Sequence, residues 1–417
     1  MTPERPVRRA LRRLASLCLL VFFTAATLGA QETAPGPGAN LDVALFTFGP
    51  GTEVWERFGH NAILIHDRAS GRALLYNYGI FDFAQENFYL NFARGRMQYR
   101  IAVGDPAEEI AIYRAEGRWI VRQDLNIAPA QRQKLADYLA WNVRPENAEY
   151  RYDYYTANCA TRVRDALDMA ANGAIRAQTV APSRGFTYRM DTLRLMRPAP
   201  LLMLGMDAGL GPFADRRLSY WDESFIPMEF MRRIRDVRVT DGSGSAQPLV
   251  LRETRIAEAR VPEPGDFPPD WFWQALATGV GAALLLIVLA RARHHPVARA
   301  AFALLSALLA LVLGLGGLTL IALWMLTDHV SAWRNENLLL LNPLCLLLLP
   351  AWLRSFRADW RPTLFAQRVA VVVAAVAGLA FFLKVFPAFA QDNRFWIALL
   401  LPVHAALAFA TTRIAAR

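Results

Sequence analysis

Apolar and polar positions divide the chain into two halves of different texture. Before about Trp271 they alternate over short distances. Residues 41–48 read as a first strand closed by a Gly49-Pro50-Gly51 turn. Residues 61–66 and 73–78 read as a hairpin turning through Ser70-Gly71. Aromatics over 83–92 fall at helical spacing, 97–103 alternates like a strand, and 119–127 predicts another strand. Pro129 opens an amphipathic helix over 130–141, with Leu135, Tyr138 and Leu139 on one face. A tyrosine-rich extended segment, 150–155, leads to Asn158-Cys159. Val163, Ala166, Leu167 and Ala170 then repeat at helical spacing, which sets Cys159 at a helix start. From 173 to 259 the pattern mixes helix and loop around an aromatic and acidic patch, S-Y-W-D-E-S-F-I-P-M-E-F.

The second half is written differently. Long Leu, Val and Ala runs near 271–290, 300–326, 337–353, 367–386 and 395–412 are each long enough for about 30 Å of hydrocarbon. Six tryptophans, among them Trp271, Trp333 and Trp396, stand near their ends, where interfacial aromatics belong. The organisation that follows is a signal peptide or signal anchor at 1–30, a Pro/Gly/Ala linker at 31–40 and an exported domain at 41–260. A second linker at 261–270 leads into a helical membrane domain at 271–417.

Charge then gives the orientation. The chain of 417 residues carries a net charge of +10, nearly all of it arginine. No basic strip interleaves with stacking aromatics, so nucleic acid is excluded as a partner. Arg291, Arg293 and Arg299 separate the first two apolar runs, Arg354, Arg357, Arg361 and Arg368 the third and fourth, and Arg413 and Arg417 close the chain; the alternate connections hold one arginine each. By the positive-inside rule the arginine-rich loops are cytoplasmic and the sparse ones lie outside. The N-terminus agrees. Five arginines precede an apolar stretch over 14–28 that ends in Gly29 and Ala30, the three-part form of an export signal.

Of three cysteines, Cys18 falls in that signal and Cys345 in an apolar run. Cys159 is therefore a lone thiol in an exported domain, without a partner for an internal disulfide. A helix N-terminus favours thiolate, and an imidazole can take the proton. The exported domain offers His60 and His66. In the expected hairpin His60 lies opposite about Gly79 and close to Asn77, which would orient the ring and complete a Cys159, His60 and Asn77 catalytic set. His66 reads as an exposed partner of Asp67. Beside the thiol, Asn158 and Thr161 are candidates for substrate contact, and His329, Asn335 and Asn337 form a polar rim on the same side of the membrane, suited to a headgroup or peptide. There is no zinc-ligand spacing, phosphate-cradling glycine loop or serine elbow, so no metal or cofactor is expected. Gly104 to Pro106 reads as a turn and Gly314 to Gly317 as a helix-packing feature.

The segments W-E-R-F-G-H-N, Y-N-Y-G-I-F, N-C-A-T-R-V-R-D, F-I-P-M-E and D-H…N-E-N-L-L-L-L-N-P-L together resemble the bacterial lipoprotein intramolecular transacylase family, over most of the chain. The resemblance implies an α+β, papain-like exported domain of circularly permuted NlpC/P60 type, in which the histidine precedes the cysteine. It also implies an activity: a thiol acyltransferase that moves an acyl chain from a diacylglyceryl-modified lipoprotein to the α-amine of its N-terminal cysteine, with membrane lipid around it. A cysteine amidase or peptidase of the cell envelope and a non-catalytic envelope scaffold are the alternatives. A wall enzyme needs one anchor rather than about five spans.

Overall fold

The computed structural model describes residues 36–240 and 244–415, so the export signal and Cys18 lie outside the described residues. The exported half is built on an antiparallel sheet of seven strands: β1 Leu41–Phe48, β2 His60–Asp67, β3 Arg72–Ile80, β4 Gln98–Gly104, β5 Ile120–Leu125, β6 Glu149–Arg151 and β7 Val250–Ala257. Their order is β7-β5-β1-β2-β3-β4-β6. The central strands β1, β2 and β3 carry apolar side chains on both faces, and helices cover both. On one face Phe46, Phe48, Ala62, Leu64 and Leu75 pack beneath Ile110 and Tyr113 of α1, Pro106–Ala115. On the other, Leu45, Ile63, Tyr76 and Tyr78 meet α2 (Pro129–Asn142), α3 (Cys159–Ala170) and α5 (Pro227–Ile234); α4, Tyr188–Met196, precedes α5 in the chain.

Three expectations need correction. The turn expected at 104–106 is the start of α1: Asp105 accepts hydrogen bonds from the backbone N–H groups of Ala107 and Glu108 at 2.7 and 3.2 Å, and Pro106 occupies the first helical position. The region 173–259 contributes the edge strand β7, whose arginine- and glutamate-rich surface has no apolar alternation to announce it. His66 pairs across the sheet with Asp42, at 3.5 Å, because the β1/β2 register sets them opposite one another. Asp67 instead closes the hairpin turn through Ala69 N–H and Ser70 Oγ.

Among the described residues, five segments are long and apolar enough to cross a membrane. Four are helices: α6 Phe272–Arg291, α7 Pro296–Leu326, α8 Leu364–Phe382 and α9 Arg394–Ala415. The third, at 336–354, is broken into 3-10 turns at Glu336–Leu339 and Pro343–Leu348 and a short helix, Leu349–Arg354. Asn342 caps the second turn and Pro343 withholds an N–H, so a continuous helix cannot form there. Gly314 and Gly317 of α7 receive the broken segment: a Cβ at either would collide with Leu346 or with the backbone at Leu341. At Gly279, α6 closes in the same way on the carbonyls of Ala398 and Leu399.

Polar bonds join the two halves. The helix Pro200–Gly209 ends on the outer surface of the bundle, where Asp207 accepts from Trp396 Nε1 at 2.9 Å and from the buried Arg189 at 2.6 Å. Gly211 N–H donates to Ser331 O at 2.7 Å.

Candidate active site

Cys159 owes its position to the residue before it. Asn158 is extended, and its Oδ1 accepts from Thr161 N–H at 2.9 Å while Thr161 Oγ1 accepts from Asn158 N–H at 2.8 Å, a reciprocal cap that starts α3. The Asn158 amide also donates to Tyr154 O and Phe225 O, at 3.0 and 2.8 Å. Both side chains are buried. The polar atoms of Asn158 and Thr161, expected to touch substrate, are thus occupied in holding the thiol at the first helical position. Burial pushes the Cys159 thiol up, and the backbone N–H groups of Asn61 and Ala160 and the Arg118 guanidinium oppose the rise.

His60 begins β2. Its Nε2 lies 2.9 Å from Asn77 Oδ1, and its ring stacks with Phe48 and Tyr113 at centroid distances of 6.0 and 6.3 Å. Burial lowers the ring's pKa to about 4, against the raising effect of Asn77 and with help from Arg118. Asn77 is buried, and its amide donates to Glu109 Oε1 at 2.6 Å. Burial raises the Glu109 carboxyl, and the Asn77 bond works against that. Arg118 is buried too, with its guanidinium 4.4 Å from the Tyr113 ring centre and its Nε bonded to Gly49 O.

Imidazole and thiol come from opposite faces of the sheet. Phe48 and Tyr113, which stack on His60, belong to the face under α1, whereas Cys159 packs with the face under α3. On β3, two residues past the Asn77 that bonds to the ring, Gly79 lies against the thiol. That residue has φ of +90°, and a Cβ there would stand 3.2 Å from the Cys159 Cβ. No direct hydrogen bond links Sγ to the ring; the thiol faces the N–H of Asn61, the residue next to His60.

Residues 34–199 match the family model for the Lnb N-terminal periplasmic domain, and residues 275–413 match that for the Lnb transmembrane domain. The chain belongs to the Lnb family. Comparison with curated proteins and with solved structures gave no match. As a member of the Lnb family it is a multi-pass inner-membrane protein, with a mixed sheet-and-helix domain in the periplasm followed by five apolar spans.

In this Lnb chain the membrane-side candidates separate. His329 reaches the periplasmic domain: its Nε2 lies 3.0 Å from Phe92 O and its ring stacks on Tyr154 at 5.9 Å, four residues before Asn158. Asp328 beside it is bound by Arg96 and Arg151 at 2.9 and 3.0 Å. Asn335 and Asn337 are buried and donate to Ala208 O at 2.8 and 3.1 Å, so they fasten the halves together. Glu336 pairs with Lys384 and bonds to Gln391 N–H. The sequence pattern did not point to Glu109 or Arg118, and it placed Gly79 only as the residue opposite His60. D-P-A-E-E is a helix-start signal that would have placed Glu109, whereas nothing local marks Arg118.

Proposed function

We propose that Cys159 is the nucleophile of an acyl transfer that N-acylates lipoproteins. The observation that carries this reading is a thiol held at a capped helix start and facing the N–H of Asn61, the residue that follows an imidazole oriented by Asn77, in a periplasmic domain fastened to a membrane bundle. With its pKa at about 4, His60 is uncharged at neutral pH and able to accept a proton. It takes the thiol proton as sulfur attacks an ester carbonyl of the diacylglyceryl group of a lipoprotein. The ester C–O bond breaks, the glycerol oxygen leaves with the proton, and a Cys159 thioester forms. The α-amine of the lipoprotein's N-terminal cysteine then attacks the thioester, His60 takes the ammonium proton, and the thiol is restored as an amide forms. The N–H groups of Asn61 and Ala160 are placed to stabilise the oxyanion of both steps.

A histidine strand that precedes the cysteine helix fits a permuted NlpC/P60-like, papain-like arrangement. The buried bonds between the halves favour a substrate anchored in the bilayer over a soluble wall peptide.

The test is mass spectrometry of a reporter lipoprotein's N-terminal peptide from a host lacking its own N-acylation, expressing the wild type or Cys159→Ser. An N-acylated peptide of unchanged acyl count in the wild type alone supports transfer within the lipoprotein. One additional chain would move the donor to another lipid, and an unmodified peptide in both strains would sink the acyltransferase reading.

A further inference from the structure

We infer that the aromatic ridge at 81–93 is a membrane-inserting surface, seated among the acyl chains of the outer leaflet. This goes beyond the acyl-transfer reading and does not depend on it. Phe83, Tyr89, Leu90 and Phe92 are exposed, Tyr89 by 73% and Phe83 by 53%, and Trp55 stands edge-on to Phe83 at 6.4 Å. Monomeric soluble surfaces rarely gather so many large apolar groups.

Two observations name the lipid bilayer as the occupant. The first is height. The ridge ends at Arg94-Gly95, where Arg94 O accepts from Asp328 N–H at 2.8 Å and a Cβ at Gly95 would touch the backbone of Asp328 and His329. Asp328 is two residues past the end of α7, whose last turn exposes Trp324, Met325 and Leu326. The short helix Phe88–Ala93, tied in this way to the mouth of a membrane span, lies at the level of the headgroups, and its outward Tyr89, Leu90 and Phe92 meet the hydrocarbon boundary. Arg94, exposed at the rim, is set to reach lipid phosphates.

The second is continuity. Rings run without a break from the ridge to the thiol's neighbourhood: Phe83 to Phe81 at 5.0 Å, Phe81 to Tyr99 at 5.1 Å, and Tyr99 to Tyr152 at 4.2 Å. Burial raises the Tyr152 hydroxyl, and the neighbouring Cys159 adds to the rise. The ridge is therefore the lipid-side end of an apolar track to Cys159.

The experiment uses the full chain in liposomes of phosphatidylethanolamine and phosphatidylglycerol. Nitroxide labels are attached at Tyr89→Cys, at Met325→Cys as the lipid-facing standard and at Ser70→Cys as the aqueous standard, in a background carrying Cys18→Ser, Cys159→Ser and Cys345→Ala. Collision with oxygen and with a water-soluble nickel chelate reads the depth. The expected result is that position 89 resembles 325, oxygen-rich and shielded from nickel. Resemblance to 70 overturns the proposal, and so does shielding from both agents, which would mark a protein partner or a second copy. A second readout keeps Cys159. The Tyr89→Ser, Leu90→Ser, Phe92→Ser variant should lose about tenfold or more of its lipoprotein N-acylation while its thiol still reacts with a small alkylating reagent at the wild-type rate. Because label depth requires no catalysis, failure of the acyl-transfer reading would leave that arm unaffected.

Discussion

Nε2 of His60 and Oδ1 of Asn77 lie 2.9 Å apart, and a third group fixes which atom donates. The Asn77 amide is turned toward the Glu109 carboxylate, so Oδ1 must face the ring and accept from Nε2–H. His60 is thereby held in the tautomer that leaves the Nδ1 lone pair free, as the proposed proton transfer from the thiol requires. Glu109→Gln lets the Asn77 amide flip and should lower acyl transfer by about tenfold without shifting the unfolding midpoint, whereas Glu109→Asp should restore part of the rate. A Glu109→Gln enzyme of wild-type rate would remove Glu109 from the positioning chain.

The lowered pKa of His60 sets a pH signature. The proposed base has to be neutral to act, so the acid limb of the rate profile should fall near pH 4 rather than near 6.5. The sign for stability follows from the same shift. The unfolded chain binds a proton at His60 below about 6.5 and the folded chain only below about 4, so stability declines as pH drops between these values. His60→Gln should flatten that decline, which thermal melts across this range would read.

Gly79 lies against the thiol, two residues along β3 from the Asn77 that orients the ring. Gly79→Ala places a methyl 3.2 Å from the Cys159 Cβ on a backbone with φ of +90°, a conformation costing a side-chain-bearing residue about 1–2 kcal/mol. The variant should fold with a slightly lower melting temperature and lose most N-acylation, by mass spectrometry of the reporter peptide. Wild-type turnover would show that the two groups meet elsewhere.

Removing the cap at Cys159 separates position from chemistry. Asn158→Ala deletes an N-cap and two further donor bonds, costing about 1–2 kcal/mol, while Asn158→Asp keeps the cap oxygen and should recover the capping part. Unfolding midpoints of the pair, read against their rates of thiol alkylation, measure how far the cap alone holds the sulfur.

At the joint between the halves, Asp207 is buried with Arg189 and takes the Trp396 indole N–H. Asp207→Ala leaves a buried guanidinium with Asp215 as its one remaining carboxylate, and the expected loss is about 3 kcal/mol. Arg96→Ala breaks an exposed pair with Asp328 and should cost far less. Melts of the two variants in detergent would rank the contacts, and equal losses would contradict the burial argument.

Much of this site was legible from pattern alone. Alternation over 41–48, 61–66 and 73–78 carries its own register, because a one-residue slip would turn every apolar side chain outward; hence the approach of Asn77 to His60 could be expected before any coordinates. The start of α3 was legible from the spacing of Val163, Ala166, Leu167 and Ala170. What escaped depends on distance along the chain or on weak periodicity. Asp328 meets Arg96 from 232 residues away. Helix α1 shows few apolar positions to announce it, so Glu109 stayed hidden despite a clear capping signal. The break at 336–354 lies inside a run of leucines, whose hydropathy is the same in a helix and in 3-10 turns.

That broken third span bears on how the protein is made. Its backbone bonds in short turns, Leu340 N–H to Asn337 O and Cys345 N–H to Asn342 O, and it seats itself in the notch at Gly314 and Gly317. Such a segment is a poor candidate to leave the translocon alone, since its loosely paired peptide groups would meet lipid directly. α7, synthesised before it, has to be at hand so that the two partition as a hairpin, which makes the two glycines a requirement of membrane biogenesis before they serve the finished protein.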